Sequence, residues 1–252
     1  MLTAMTQAVS KPRRRLLVAL ALAAAGSRAG AVPGTLRCTL AELPPFAMAA
    51  ADGRVRGLYA DLLQALAQAL GMKLQLQMGP LSRAAHDLNL GASDISVMLP
   101  NAGLGAGVRS LGPAFTLQPV MQPRAGLSLR SVSDPPELHV VALAGASRWD
   151  LLPPGSSHRI SYVSTPQAMV GMLRAQRADA ALVVRETLRY GLQHWGMSGA
   201  DLPPPLLLAP RTAEVWVRAG LDDGLARRLG DALQLLLAQG LPQQLLRRYG
   251  GA

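Results

Sequence analysis

A chain of 252 residues has room for one large domain or two modest ones, and 50% hydrophobic residues bury a real core, which excludes wholesale disorder. The formal charge is +10, but charged residues make up only 16% of the chain and aromatics 4%, so the interleaved basic and stacking side chains of a nucleic-acid binder are missing and no nucleic-acid partner is expected. The single cysteine, Cys38, excludes an internal disulfide framework and any multi-cysteine metal site.

The cations are unevenly spread. Lys11, Arg13, Arg14, Arg15 and Arg28 all fall within residues 1–31, which hold no acid. The basic cluster precedes an apolar stretch over residues 16–26 and small residues ending in Ala29-Gly30-Ala31, the layout of a cleavable secretory signal. Those 11 residues fall well short of the roughly 20 needed to span a bilayer, so a removed leader is favoured over a permanent anchor. The mature chain is therefore expected in the periplasm, without stable membrane insertion. Arg13-Arg14-Arg15-Leu16-Leu17 resembles a twin-arginine leader, but basic residues also fill ordinary leaders, and the export route stays open. Arg37 directly before Cys38 is wrong for lipid attachment, and Cys38 reads as a small apolar strand residue.

Strand and helix signals then alternate, pointing to an α/β architecture. Residues 35–40 read as a strand. Leu58, Leu62, Leu66 and Leu70 recur every four residues and stop at Gly71, the pattern of an amphipathic helix on a sheet. Leu74, Leu76 and Met78 alternate with Lys73, Gln75 and Gln77 as a strand with one wet face. A short helix is expected over residues 83–90 and a central strand over 95–99. The glycines at 103, 105 and 107 miss dinucleotide-binding spacing and open no helix, so a flexible loop is the better reading. Strands follow at 140–143 and 180–184, helices at 165–176 and 186–195, and a short strand at 206–208 between prolines. A strand around Val215, Trp216 and Val217 leads to a long helix with a stripe of Leu225, Leu229, Leu233, Leu236 and Leu237, capped by Asp222 or Asp223. After Gly240, Pro242 starts a last helix that buries Leu245, Leu246 and Tyr249.

In order and spacing these landmarks resemble the extracytoplasmic solute-binding proteins of family 3, which serve polar amino acid ABC transporters. The resemblance is carried by Leu43-Pro44-Pro45-Phe46, Asp52-Gly53 and Gly57-Leu58-Tyr59-Ala60-Asp61; by Gly79-Pro80-Leu81-Ser82-Arg83 and Gly91-Ala92-Ser93-Asp94; by Arg109 with Phe115-Thr116; and by Arg174-Ala175-Gln176-Arg177-Ala178-Asp179 with the closing helices. It implies a two-lobed type II periplasmic-binding-protein clamshell with two hinge strands. Lobe 1 would take residues 32–122 and 212–252, and lobe 2, inserted, residues 123–211, with crossings near Gln122 and Arg211. It further implies no cofactor, a monomer, an ABC transporter permease as partner, and a small anionic or polar solute held between the lobes.

The resemblance also names site residues. Arg109 matches the family's carboxylate-gripping arginine, a task for a planar, always-charged fork; alternatively it pins the glycine loop to an acid such as Asp94. Asn101 opens the loop whose amides would add donors to that anion. Gly145-Ala146-Ser147 lies where the family offers amides at a helix start, with a plain cap by Ser147 as the alternative. Phe46 matches an aromatic beside the ligand or packs in the core, and Arg83 belongs to a proline-arginine pattern seen in some relatives. Where amino-acid binders usually carry an aspartate for the ligand's ammonium, this chain has Val184, followed by Arg185 and Glu186. Valine cannot offset the desolvation of an ammonium, so an amino-acid site survives only if Glu186 reaches in, while Arg185 would add a second cation. Two other classes compete: a cyclohexadienyl dehydratase-like enzyme with Glu186 or Glu137 as general acid, and a periplasmic binding accessory or sensor of a dehydrogenase or signalling system. The histidines show no metal or triad spacing, and a non-enzymatic binding role is expected.

Overall fold

The computed structural model describes residues 34–145, 152, 157–195 and 202–249, so the expected leader and Ser147 lie outside the described residues. Strand β1 (Thr35–Ala41) turns Leu36, Cys38 and Leu40 into the core. A small ribbon of β2 (Met48–Ala49) and β3 (Val55–Arg56) leads into α1 (Leu58–Ala69), whose leucines at 58, 62 and 66 are fully buried. Gly57, just before α1, has φ 132°, and a Cβ there would lie 2.5 Å from the Phe46 carbonyl oxygen, so only glycine lets the helix begin against this turn. Next come β4 (Lys73–Gly79), α2 (Leu81–Asn89), β5 (Ile95–Met98) and β6 (Arg109–Leu117). The middle of the chain forms β7 (Pro119–Pro123), β8 (His139–Leu143), β9 (Arg159–Val163), α3 (Pro166–Arg174), β10 (Ala180–Val184), α4 (Arg185–His194) and β11 (Leu206–Leu207). It closes with β12 (Arg211–Val217), α5 (Asp223–Ala238) and α6 (Leu241–Tyr249).

The strands sort into two five-stranded sheets, β4-β1-β5-β12-β6 and β11-β7-β10-β8-β9. In the first, β1 runs parallel to β4 and β5, while β12 returns antiparallel between β5 and β6. In the second, β8, β9 and β10 are parallel and β7 is antiparallel to β10 and β11. Each sheet is covered on both faces, as a sheet with parallel strands requires. On one face of the first, α1, α5 and α6 enclose Leu36, Leu62, Ile95, Val215 and Leu229; on the other, α2 lays Ala84 and Leu88 on Met98 and Trp216. In the second sheet Val141, Val183, Met169 and Leu188 pack together, while Val140, Leu182 and Leu208 point the other way.

Caps fix several helix starts. Asp222, rather than Asp223, caps α5, its Oδ1 accepting from the Leu225 N–H at 2.8 Å, and Thr165 caps α3 ahead of Pro166. In α6 Leu245 is buried, whereas Leu246 and Tyr249 are partly covered, and the Tyr249 hydroxyl donates to Asp61 at 2.7 Å. β9 has no counterpart among the expected strands. As an edge strand it leaves Arg159 and Tyr162 exposed, and so lacks the apolar run that marks a buried strand.

The chain passes between sheets twice. Leu117 still pairs with Arg211 in the first sheet and Pro119 already pairs with Val184 in the second, so the first passage is at Gln118. The expected crossing at Gln122 falls instead inside β7, opposite Ala181, because the proline at 119 begins a strand and does not end one. The second passage lies between Leu208 and Arg211. The two are tied side by side: the Leu208 N–H donates to the Pro119 carbonyl at 3.0 Å and Gln118 Nε2 to the Leu208 carbonyl at 2.5 Å.

Candidate functional site

A cavity of about 400 Å³ opens where the carboxyl ends of β1, β5, β8 and β10 face one another across the two sheets. That is the general place for a ligand in α/β sheets, because the chain leaves each strand there and side chains diverge around a crevice. From the first sheet's side come Leu43, Phe46, Tyr59, Leu99 and the start of α2 at Leu81 and Ser82. From the second come Leu143, Gly145, Val183, Val184 and Thr187.

Contacts between the two sides surround the cavity. Val184 packs into the core of the first sheet, while Leu43 and Leu81 pack against that of the second. Gly145, at φ 84°, meets α2 so closely that a Cβ would stand 2.7 Å from the Ser82 nitrogen. Tyr59 links two aromatic neighbours, with ring centroids 4.7 Å from Phe46 and 5.6 Å from Phe115. Phe46 is 1% exposed in the core and also forms part of the cavity wall.

The expected cations are elsewhere. Arg109 stands at the opposite end of β6 from Leu117, which lines the cavity, and eight extended steps carry it roughly 25 Å away. There its Nη1 donates to Asp223 Oδ1 at 2.8 Å and its Nη2 to the Leu221 carbonyl at 3.1 Å. It pins the β12–α5 turn, and neither reaches the cavity nor pairs with Asp94. The physical reason is that residues 109–117 run as one extended strand, with no helical turn to bring the arginine back. Arg83 reaches out from α2 to Asp87 with its side chain 60% exposed. Arg185 is half-buried at the start of α4, where its backbone N–H donates to the Gln118 carbonyl at 2.8 Å. None of the three lines the cavity, and no Asp, Glu, Lys or Arg does so among the described residues.

Asn101 does line it, but its amide is committed locally, donating to the Leu99 carbonyl at 3.0 Å and accepting from the Gly103 N–H at 2.9 Å. Asn89 likewise holds Gly103 and Gly105, so the glycine loop is clamped by two asparagines and these amides are not free for an anion. Glu186 lies near the backbone N–H groups of its own residue and of Gln118, which favour its charged form. Burial raises its pKa against those favourable contacts and the neighbouring Arg185, and its Oε2 is buried without a partner. Tyr59, close enough for Glu186 to raise it further, has its hydroxyl pKa pushed up mainly by burial.

Charge-directed reading of the sequence passed over Thr187, Ser82 and Tyr59. Thr187 is fully buried, forms part of the cavity wall, and its Oγ1 has no hydrogen-bond partner. The available signal was positional, since Thr187 sits in the first turn after a strand whose carboxyl end faces the crevice. Among the described residues no cluster of His, Cys, Asp and Glu is arranged to hold a metal ion, and no helix is long and apolar enough to cross a membrane.

No protein-family model matches this chain, and no curated protein matches it in sequence. Solved structures do match in fold. A substrate-binding protein of an amino acid ABC transporter superposes with TM-score 0.71 at 18% identity, covering 86% of this chain and 98% of its own. An ancestral arginine-binding protein bound to arginine gives TM-score 0.72 at 20% identity, with 86% and 99% covered. An ancestral amino acid-binding protein described as a precursor of cyclohexadienyl dehydratase gives 0.71 at 21%, with 86% and 96% covered. The chain has the two-lobed fold of these proteins.

Proposed function

We propose that this chain is an exported, non-enzymatic binding protein that captures a small polar solute between its lobes and presents it to an ABC transporter permease. In this reading the first lobe is built on the sheet of residues 34–117 and 211–249, the second on that of residues 119–208, and the paired passages at Gln118 and after Leu208 are the hinge. The observation that carries it is the cavity itself, walled by both lobes at their strand ends while only two adjacent, mutually hydrogen-bonded segments connect them. Such a joint lets a solute that touches both walls shift the population toward the closed form. The amino acid transport component among the structural neighbours supports the same reading.

Mass spectrometry of the natively purified chain, with small-angle scattering before and after solute removal, tests it. A copurified small molecule whose removal expands the particle is the expected result; a chain that carries nothing and keeps its dimensions with every solute would refute capture. A dehydratase reading draws on the burial-raised Glu186 near the cavity and on the dehydratase precursor among the neighbours. Glu186 does not line the cavity, however, and a general acid must come within hydrogen-bond reach of its substrate. Purified protein is accordingly expected to leave prephenate unchanged.

A further inference from the structure

We infer that the solute is a small carboxylate with an apolar body, and that His86 selects it by carrying positive charge on the cavity wall. This deepens the solute-capture reading and rests on it.

The placement of His86 follows from helix periodicity. Ser82, His86 and Asn89 recur at i, i+4 and i+7 along α2, which puts them on one face, and all three line the cavity. The opposite face is taken up by the sheet: Ala84 and Leu88 pack on Met98, and the Asp87 carboxylate accepts from the Thr39 hydroxyl at 2.7 Å. Asn89 is committed to the glycine loop, donating to the Gly103 carbonyl and accepting from the Gly105 N–H. The His86 imidazole and the Ser82 hydroxyl have no partner among the described residues, and both residues are exposed, so each is free to meet a solute.

Charge singles out the histidine. Among the described wall residues His86 alone can become a cation, since no Lys or Arg lies there. Tyr59, another titratable group on the wall, stays neutral because burial pushes its hydroxyl pKa up. The other charges on α2 and on the elements packed against it are matched among themselves or by a hydroxyl: Arg83 with Asp87, Arg37 and Arg218 with Asp94, Glu214 with Ser110. None of these, nor Arg211 on β12, lines the cavity. An imidazolium so placed has no internal anion, and a carboxylate entering from solvent supplies one through a charge-assisted hydrogen bond.

The same spot borders the second sheet's side. A Cβ on Gly145 would stand 3.2 Å from the Ser82 Cβ, and His86 lies one helical turn, roughly 6 Å, beyond Ser82. Leu43, Leu81, Leu143 and Val184 offer the apolar body a wall from both sides. At about 400 Å³, and roughly 30 Å³ for each water-sized group, the cavity accommodates on the order of a dozen non-hydrogen atoms.

Phenylacetate and phenylacetamide form a matched test pair, alike in size and shape but anionic and neutral. In calorimetry and ligand-observed NMR on the mature chain, phenylacetate should bind about fivefold more tightly than the amide at about pH 5.5, and the two should bind alike at about pH 8.5. His86→Gln should abolish the preference at the lower pH and leave the amide's affinity unchanged, whereas His86→Lys should keep the preference at both. Glu186, whose pKa burial raises, is present in all three proteins, so the comparison isolates position 86. Thermal melts check that each variant is folded. Equal affinities at the lower pH, a preference untouched by His86→Gln, or failure of both probes to bind would each overturn the inference. Solute capture is judged separately, by the copurified molecule and the scattering, and survives any of these results if those hold.

Discussion

Thr187→Val exchanges a hydroxyl for a methyl of nearly the same size at a position with no solvent exposure. A buried hydroxyl with no partner costs about 1–3 kcal/mol in desolvation that nothing returns, and Thr187 Oγ1 is such a group. Valine removes that cost and adds a methyl beside Val183 and Val184, while β-branching in the first helical turn is unchanged. The solute-free variant should therefore be more stable by about 1 kcal/mol, a rise in Tm of about 2–4 °C for a chain of this size. Urea unfolding with an unchanged m-value is the appropriate assay, because only then does the shift in midpoint report stability. A solute-free variant destabilised by more than about 1 kcal/mol would refute the reasoning, because it would mean that the hydroxyl is paired in the folded protein.

Three further outcomes are expected. Burial raises the pKa of Asp94, but hydrogen bonds from the Arg37 side chain and backbone and from Arg218 outweigh it and bring the group down to about 2. A depressed carboxylate contributes stability that is complete above its unfolded pKa near 4 and is lost as pH falls from about 4 to 2; here that is about 2 kcal/mol, and Asp94→Asn should flatten this step in acid-unfolding curves. Gly145→Ala places a Cβ 2.7 Å from the Ser82 nitrogen on a residue at φ 84°; with about 1–2 kcal/mol of strain, solute affinity should fall about tenfold and scattering should show a larger particle. Burial raises the pKa of Cys38 far more than its contact with Ser96 lowers it, so native protein should resist thiol reagents until it unfolds, which stopped-flow labelling against denaturant would check.

Local pattern was enough to show much of the fold. The leucine repeat of α1, the alternation in β4, the apolar runs of β5 and β10 and the capped stripe of α5 are each periodic signals that burial on one face imposes on a sequence, and each lies where it was expected. Edges were harder to see. β9 and most of β6 carry exposed or half-exposed residues, and nothing in so mixed a run marks a strand until a neighbour pairs with it.

The site divides in the same way. Sequence alone determined the α/β alternation and the runs of its periodic helices and strands, because these depend on residue type at a position within a regular element, while the structure puts Phe46 and Val184 on the cavity wall. Only the tertiary structure decided where long side chains go. A guanidinium reaches whichever carboxylate its backbone brings near, and the extended run of β6 delivered Arg109 to Asp223. Likewise no spacing rule shows that one threonine hydroxyl is buried without a partner, since that depends on how residues distant in the chain pack around it.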